Sequence, residues 1–431
     1  MSLRADPSFS RGDLSPRARE RYDAFLVSLN DAYPSLVEQS TSPNMYNYGR
    51  GLYIGLSMIS TVFRQTGDLE LLDEIYELSK NTYDQLEDRW DPEGGASYYD
   101  THLRKTLHAQ DGYRNWRYRN YCGTGSSADT IYCGRDNHRL EEALSHGMAA
   151  GVMYALHVNR DLESPKGYDY GEMADAWLDY LRNDFEAKWR ERYDHPWPEM
   201  PYFQRYFTHT NMAHLKTHYY VGRMLEDLGD PDAQVYLTEA RKMTDQIFEE
   251  PHVPSGSHEQ AGGFVTTQTP IGPAYIWAFG TPYNRGINSV SAAPSVYARY
   301  FLAMVAELHF DGAYRFEDPH VMEKLSRTVA YFILDTDPPY GSTTLMLAAD
   351  VIGGDGDGAK TVEGMQGTAY RGRNNANRYA ISTFGLYALW DETGRIEEVT
   401  EGAYVTASSR TRRLPLNAFR FISVYEEERQ P

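Results

Sequence analysis

The segment His209-Thr210-Asn211-Met212-Ala213-His214-Leu215-Lys216-Thr217-His218-Tyr219 holds the densest cluster of reactive side chains in the chain. Asn211, His214 and His218 fall at i, i+3 and i+7, which puts them on one face of a helix. Polar groups on a cavity-lining face need a ligand, water or one another. The competing reading is a buried hydrogen-bond network. His214 and His218 have the i, i+4 spacing of a zinc pair, but no acidic residue lies between them, so no metal is expected.

A second cluster, Arg371-Gly372-Arg373-Asn374-Asn375-Ala376-Asn377-Arg378-Tyr379, crowds the entry to a short apolar helix. A guanidinium fork matches a carboxylate, so Arg373 and Asn375 are candidate ligands for one. A solvated loop capping the helix explains the same residues more plainly. A third group is Trp277, Tyr283, Asn284 and Arg285, followed by Tyr297 and Tyr300. Smaller patches are Tyr48 with Arg50, and Asp136 to His138 with Glu142 and His146 one and two turns on. Cys122, Cys133 and His138 match no strong zinc spacing. Gly353 to Gly358 has the wrong spacing for a calcium loop and reads as a turn.

Amide, imidazole, guanidinium and phenol groups together suit β-elimination on a uronate. The sugar carboxylate must be neutralised so that the C5 proton becomes acidic. A base removes that proton, and an acid protonates the departing O4. Asn, His and Arg serve the first need. Tyr or His serves the others, and a neighbouring Arg favours the phenolate of a Tyr base. That chemistry requires no metal or organic cofactor.

The elements that must position these residues recur along the chain. An apolar helical stretch ends in a Gly/Asp turn and an amphipathic helix follows. Tyr53 to Phe63 leads to Leu69 to Leu86, and Leu140 to His157 leads to Gly171 to Trp189. Asn211 to Leu228 leads to Ala233 to Phe248, and Pro294 to Leu308 leads to Pro319 to Leu334. Tyr379 to Trp390 leads to a shorter last segment. Helices apolar all round are buried, and striped ones lie outside them. The pattern predicts one all-α domain over residues 1–431, an (α/α) toroid of about six or seven helix pairs. Irregular pairs are expected near 90–135 and 335–370. Long loops, Pro92 to Arg135, Pro251 to Asn288 and Pro338 to Asn377, are expected to gather at one rim as walls of a cleft.

Composition narrows the partners. The chain has 61 acidic and 42 basic residues, a net charge of −19, which argues against nucleic acid. An anionic polysaccharide or oligosaccharide is the expected partner, which requires a local basic pocket within that acidic shell. The 35 tyrosines offer flat faces for sugar rings, although a tyrosine-rich core explains many of them. No apolar run reaches the roughly 18 residues of a membrane span, so no membrane association is expected. The start lacks an apolar signal core, so the expected location is cytoplasmic, or periplasmic or secreted if a signal peptide has been removed.

Asn211-x-x-His214 near the start of its helix, which ends in Gly229-Asp230, resembles the corresponding helix of toroid alginate lyases. Arg373 to Tyr379, continuing as Ala380-Ile381, resembles their Arg-then-Tyr-Ala element. The plan of the chain is most similar to the glucuronan and alginate lyases of polysaccharide lyase family 38. That resemblance implies an Asn211–His214 pair on the carboxylate and a catalytic tyrosine. In those lyases the tyrosine lies on the buried helix after the His helix, which here offers Tyr297 and Tyr300, whereas Tyr379 has the better local motif. Tyr297 and Tyr379 both stand as the base, with Arg285 and Arg373 as partners. The rivals are a glycoside hydrolase using Asp136 and Glu142, and a glycan-binding protein without catalysis.

Overall fold

A computed structural model gives the fold, and the structure describes residues 2–42, 44–86, 97–100, 105–108, 113–116, 139–193, 208–248, 263–278, 292–293, 295–335, 346–348, 351, 353, 360–363, 365–366, 380–406 and 410–429. Helix accounts for 74% of the described residues, so the chain is mostly helical.

The helices are α1 (Pro16–Ser40), α2 (Tyr53–Thr66), α3 (Leu69–Tyr83), α4 (Arg139–Val158) and α5 (Tyr170–Tyr180). They continue with α6 (Ala187–Tyr193), α7 (Thr208–Asp227), α8 (Ala233–Phe248), α9 (Ser295–Phe310) and α10 (Pro319–Thr328). Last come α11 (Ala380–Gly385), α12 (Arg395–Thr406) and α13 (Arg410–Arg429). The turn chemistry sets their ends. Gly67 closes α2 in the left-handed conformation, φ 69°, and Asp68 then caps α3 by accepting from the Glu70 amide. Asp318 caps α10 in the same way, with Pro319 in its first turn.

The pairs read from the sequence recur with boundaries shifted by a few residues. From Glu141 through Leu156, helix α4 has no exposed side chain, as expected for a helix apolar all round. The all-helical expectation needs one correction: four two-stranded antiparallel sheets are present among the described residues. The longest pairs Phe264–Thr269 with Gly272–Trp277, within a segment expected to be loop. Its strands are rich in β-branched and aromatic residues, which favour a strand. A second correction concerns α1 and α13, which pack along one another although no helix pair was read at either end of the chain.

The buried helices contact one another in a definite order: α2 with α4, α4 with α7, α7 with α9, α9 with α11, α11 with α13, and α13 with α2. Equivalent levels meet. Arg50, just before α2, meets Glu141 in the first turn of α4 at 2.5 Å. Near the far ends, Arg64 meets Asp311 at 2.8 Å, and midway the Tyr387 hydroxyl donates to the Leu302 carbonyl at 2.8 Å. Of these helices, α2, α4, α7 and α9 therefore run side by side in the same direction. The core is rich in tyrosine, including Tyr22, Tyr53, Tyr170, Tyr220, Tyr300 and Tyr387. Several hydroxyls there are satisfied by neighbours, as in Tyr170 donating to Asp73 at 2.6 Å.

Candidate functional site

Parallel packing brings the first turns of the buried helices to one level. Arg50 reaches that level on a widened turn, Tyr48–Leu52, that leads into α2. Such π-type turns recur at functional sites. Gly49 makes the approach possible, because a Cβ there would stand 3.1 Å from the Glu141 carbonyl oxygen. The Arg50 guanidinium donates from Nε (2.6 Å) to one oxygen of Glu141, which is fully buried, and its Nη2 stands 2.5 Å from the same oxygen. It also lies 5.6 Å from the Tyr46 ring centre and 5.7 Å from those of Tyr297 and Tyr300. Cation–π attraction holds a guanidinium at such distances.

His209, in the first turn of α7, stacks on Tyr297, in the first turn of α9, with ring centres 4.8 Å apart and planes within 13°. Burial, and then the charge of Arg50, push the His209 pKa down to about 3, so its imidazole is neutral at pH 7. One turn deeper, the Tyr300 hydroxyl accepts from Nη2 of Arg299, whose guanidinium carbon stands 4.5 Å from the same ring. Asn211 has a buried Oδ1 with no hydrogen-bond donor among the described residues. The positive ends of several helix dipoles add to the Arg50 and Arg299 guanidinium groups, so the level favours an anion.

The structure thus joins Arg50, Tyr297 and Tyr300, and adds His209, Arg299 and Glu141, which spacing did not single out. His209 lies on the face that carries Ala213 and Lys216 inward, toward Gly147 and Gly151 of α4. The expected i, i+3, i+7 face turns elsewhere. His214 stacks on Phe185 at 5.7 Å, and burial, with His218 second, holds its pKa near about 3. His218 meets Glu239 of α8 at 2.9 Å and Glu186 at 3.4 Å. Burial opposes its charge, but the two carboxylates more than offset that and raise its pKa. That part of the face is the buried network of the competing reading, because the flanking helices supply acids to meet it.

No family model, curated protein or solved structure matches the chain.

The site therefore rests on its own geometry. Three other expected sugar contacts are committed to the core. His146 lies between the Glu142 carbonyl (2.6 Å) and the Tyr180 hydroxyl (2.7 Å), with Phe185 stacked at 3.8 Å. Tyr48 is fully buried against Trp116, and its hydroxyl donates to the Ser42 carbonyl. Trp277 stacks on Phe301 at 4.8 Å and is 1% exposed. Each packs there because the starts of the buried helices are walled by aromatic rings on several sides. Glu142 accepts from Lys188, from Trp189 Nε1 (3.1 Å) and from Asn115 Nδ2 (3.1 Å), so it is no accessible carboxylic acid. Asp136, His138, Tyr283, Asn284, Arg285, Arg373, Asn375 and Tyr379 lie outside the described residues, as do Cys122 and Cys133. A groove of about 540 Å³ between α1 and α3, lined by Leu26, Asn30, Tyr33 and Glu74, shares no residue with this site.

Proposed function

We propose that the chain is a polysaccharide lyase that cleaves a uronic-acid-containing polysaccharide, glucuronan or alginate, by β-elimination at one end of an (α/α) toroid. The toroid reading is supported by the packing order of the buried helices, which returns from α13 to α2. The observation that carries the function is Tyr297, stacked on a neutral His209 with the Arg50 guanidinium over its ring.

In this reading a guanidinium at this level, with the Nδ2 amide of Asn211, holds the sugar carboxylate, and the helix dipoles help stabilise the charge that develops on it. The Tyr297 phenolate takes the C5 proton. The C5–H electron pair becomes the C4–C5 double bond, the C4–O4 bond breaks, and O4 leaves with a proton returned by the phenol. His209, being neutral, orients the phenol by stacking and adds no charge of its own. A hydrolase would need an accessible pair of carboxyl groups, and Glu142 is engaged by Lys188, Trp189 and Asn115.

The test is incubation with purified glucuronan and alginate, followed by short-ultraviolet absorbance from the unsaturated uronate. Tyr297→Phe is expected to lower kcat by about 10²–10⁴-fold, the usual worth of a positioned proton-transfer group, with thermal stability retained. New reducing ends without absorbance would end the lyase reading. Full activity in Tyr297→Phe would remove this tyrosine from the mechanism.

A further inference from the structure

Arg299 is a guanidinium only 9% exposed, and among the described residues no carboxylate pairs with it. Its described polar contact is the Tyr300 hydroxyl, and its Nε is buried with no acceptor among the described residues. A buried unpaired cation is costly, and proteins retain one where something anionic meets it. Two further orphans lie nearby in sequence and packing. Ser295 Oγ, in the first turn of α9, and Thr383 Oγ1, in the first turn of the neighbouring α11, are buried without partners among the described residues. Arg50, the other guanidinium at Tyr300, is already neutralised by Glu141.

We propose that Arg299 is the principal counter-charge for a carboxylate of the ligand, with Ser295 and the first-turn amides of α9 completing an anion subsite. The identity of that ligand as a uronate rests on the lyase reading; the anion subsite itself does not. Arg299 offers its free Nε edge to the carboxylate, while Nη2 stays on Tyr300. This assigns recognition of the charged sugar to Arg299, and leaves Arg50 to hold the tyrosines.

The experiment is ligand binding to the intact chain by calorimetry, with D-glucuronate as probe and D-glucose as the neutral control. Glucuronate is expected to bind and glucose not. Arg299→Met is expected to weaken glucuronate binding by about tenfold or more, the worth of a charge-assisted hydrogen bond. Arg299→Lys restores part of it, keeping the charge without the fork. The ligand-free melting temperature of Arg299→Met should hold or rise, because a buried unpaired charge has been removed. Equal binding of the two sugars, or glucuronate affinity unchanged in Arg299→Met, overturns the proposal. If Arg299→Met melts well below the parent, with Arg299→Lys restoring stability but no binding, the residue is structural and the proposal likewise falls. Arg299-dependent glucuronate binding without any unsaturated product would end the lyase reading and leave the subsite standing.

Discussion

Glu142 shows how a residue's type can mislead about its task. As an acid one helical turn before His146 it has the look of a proton donor, yet Lys188 and Glu142 form an ion pair in which both side chains are essentially buried. Lys188→Met would leave that carboxylate without its counter-charge and should cost about 3–5 kcal/mol of unfolding free energy in urea titration. Lys188→Met with Glu142→Leu should recover most of the loss, and a single-variant cost below about 1 kcal/mol would mean that water reaches Glu142. The same limit applies to the histidines. Spacing correctly groups His214 with His218 on one face, but it cannot say which way that face turns. The phase is fixed by what surrounds the helix, here Phe185, Glu186 and Glu239 on one side and Gly147 and Gly151 on the other. His209, two residues before Asn211, therefore meets Tyr297 without any periodic signal of its own. Arg299 did leave a signal: a single arginine inside Tyr297-Ala298-Arg299-Tyr300-Phe301-Leu302, an otherwise apolar run.

The helices were legible because each apolar stretch closes on a turn of fixed chemistry, as at Gly67-Asp68 between α2 and α3. The hairpin Phe264–Trp277 was not, since its strands are six residues each and sit within a long segment rich in turn formers. The pairing of α1 with α13 was not legible either, because nothing local links residues some 390 apart in sequence. Between these cases stands the turn that carries Arg50, flanked by two glycines with different duties. A Cβ on Gly49 meets backbone, the Glu141 carbonyl at 3.1 Å, whereas a Cβ on Gly51 meets the end of the Gln39 side chain, which can swing away. Gly49→Ala should therefore push the turn off α4, displace Arg50 from the tyrosines and lower both kcat/KM and melting temperature. Gly51→Ala should be near neutral, since Gln39 yields and alanine favours helix. Parallel melting and turnover measurements on the two variants decide this, and equal losses would refute the distinction.

At the scale of the molecule, buried histidines couple the fold to pH. His146, His209 and His214 are all held neutral, by burial first, with pKa values below the ordinary 6.5 and near about 3 for His209 and His214. For such groups the folded chain resists a proton that the unfolded chain accepts. Their stabilisation is complete above pH 6.5 and is lost as pH falls below it, by about 1.4 kcal/mol per unit for each. His218 runs the other way: raised by Glu186 and Glu239, its contribution is full below 6.5 and is lost as pH rises through its folded value. Glu239, held at about 2 by His218 and Arg190 against its burial, contributes above 4.5 and loses that contribution only as pH falls toward 2. Between 4.5 and 6.5 the histidines with lowered pKa values, these three together with His157 and His309, therefore dominate, each adding at most about 1.4 kcal/mol per unit. A domain stable by about 5–15 kcal/mol should then unfold within a few units below neutrality. His214→Phe keeps an aromatic ring stacked on Phe185 and removes one titration, so the slope of unfolding free energy between pH 6.5 and 5 should fall by up to about 1.4 kcal/mol per unit. Urea unfolding at several pH values measures it directly. An unchanged slope would mean that the His214 imidazole is protonated within the folded core, and that the packing between α4 and α7 admits a charge which the burial on both sides of it argues against.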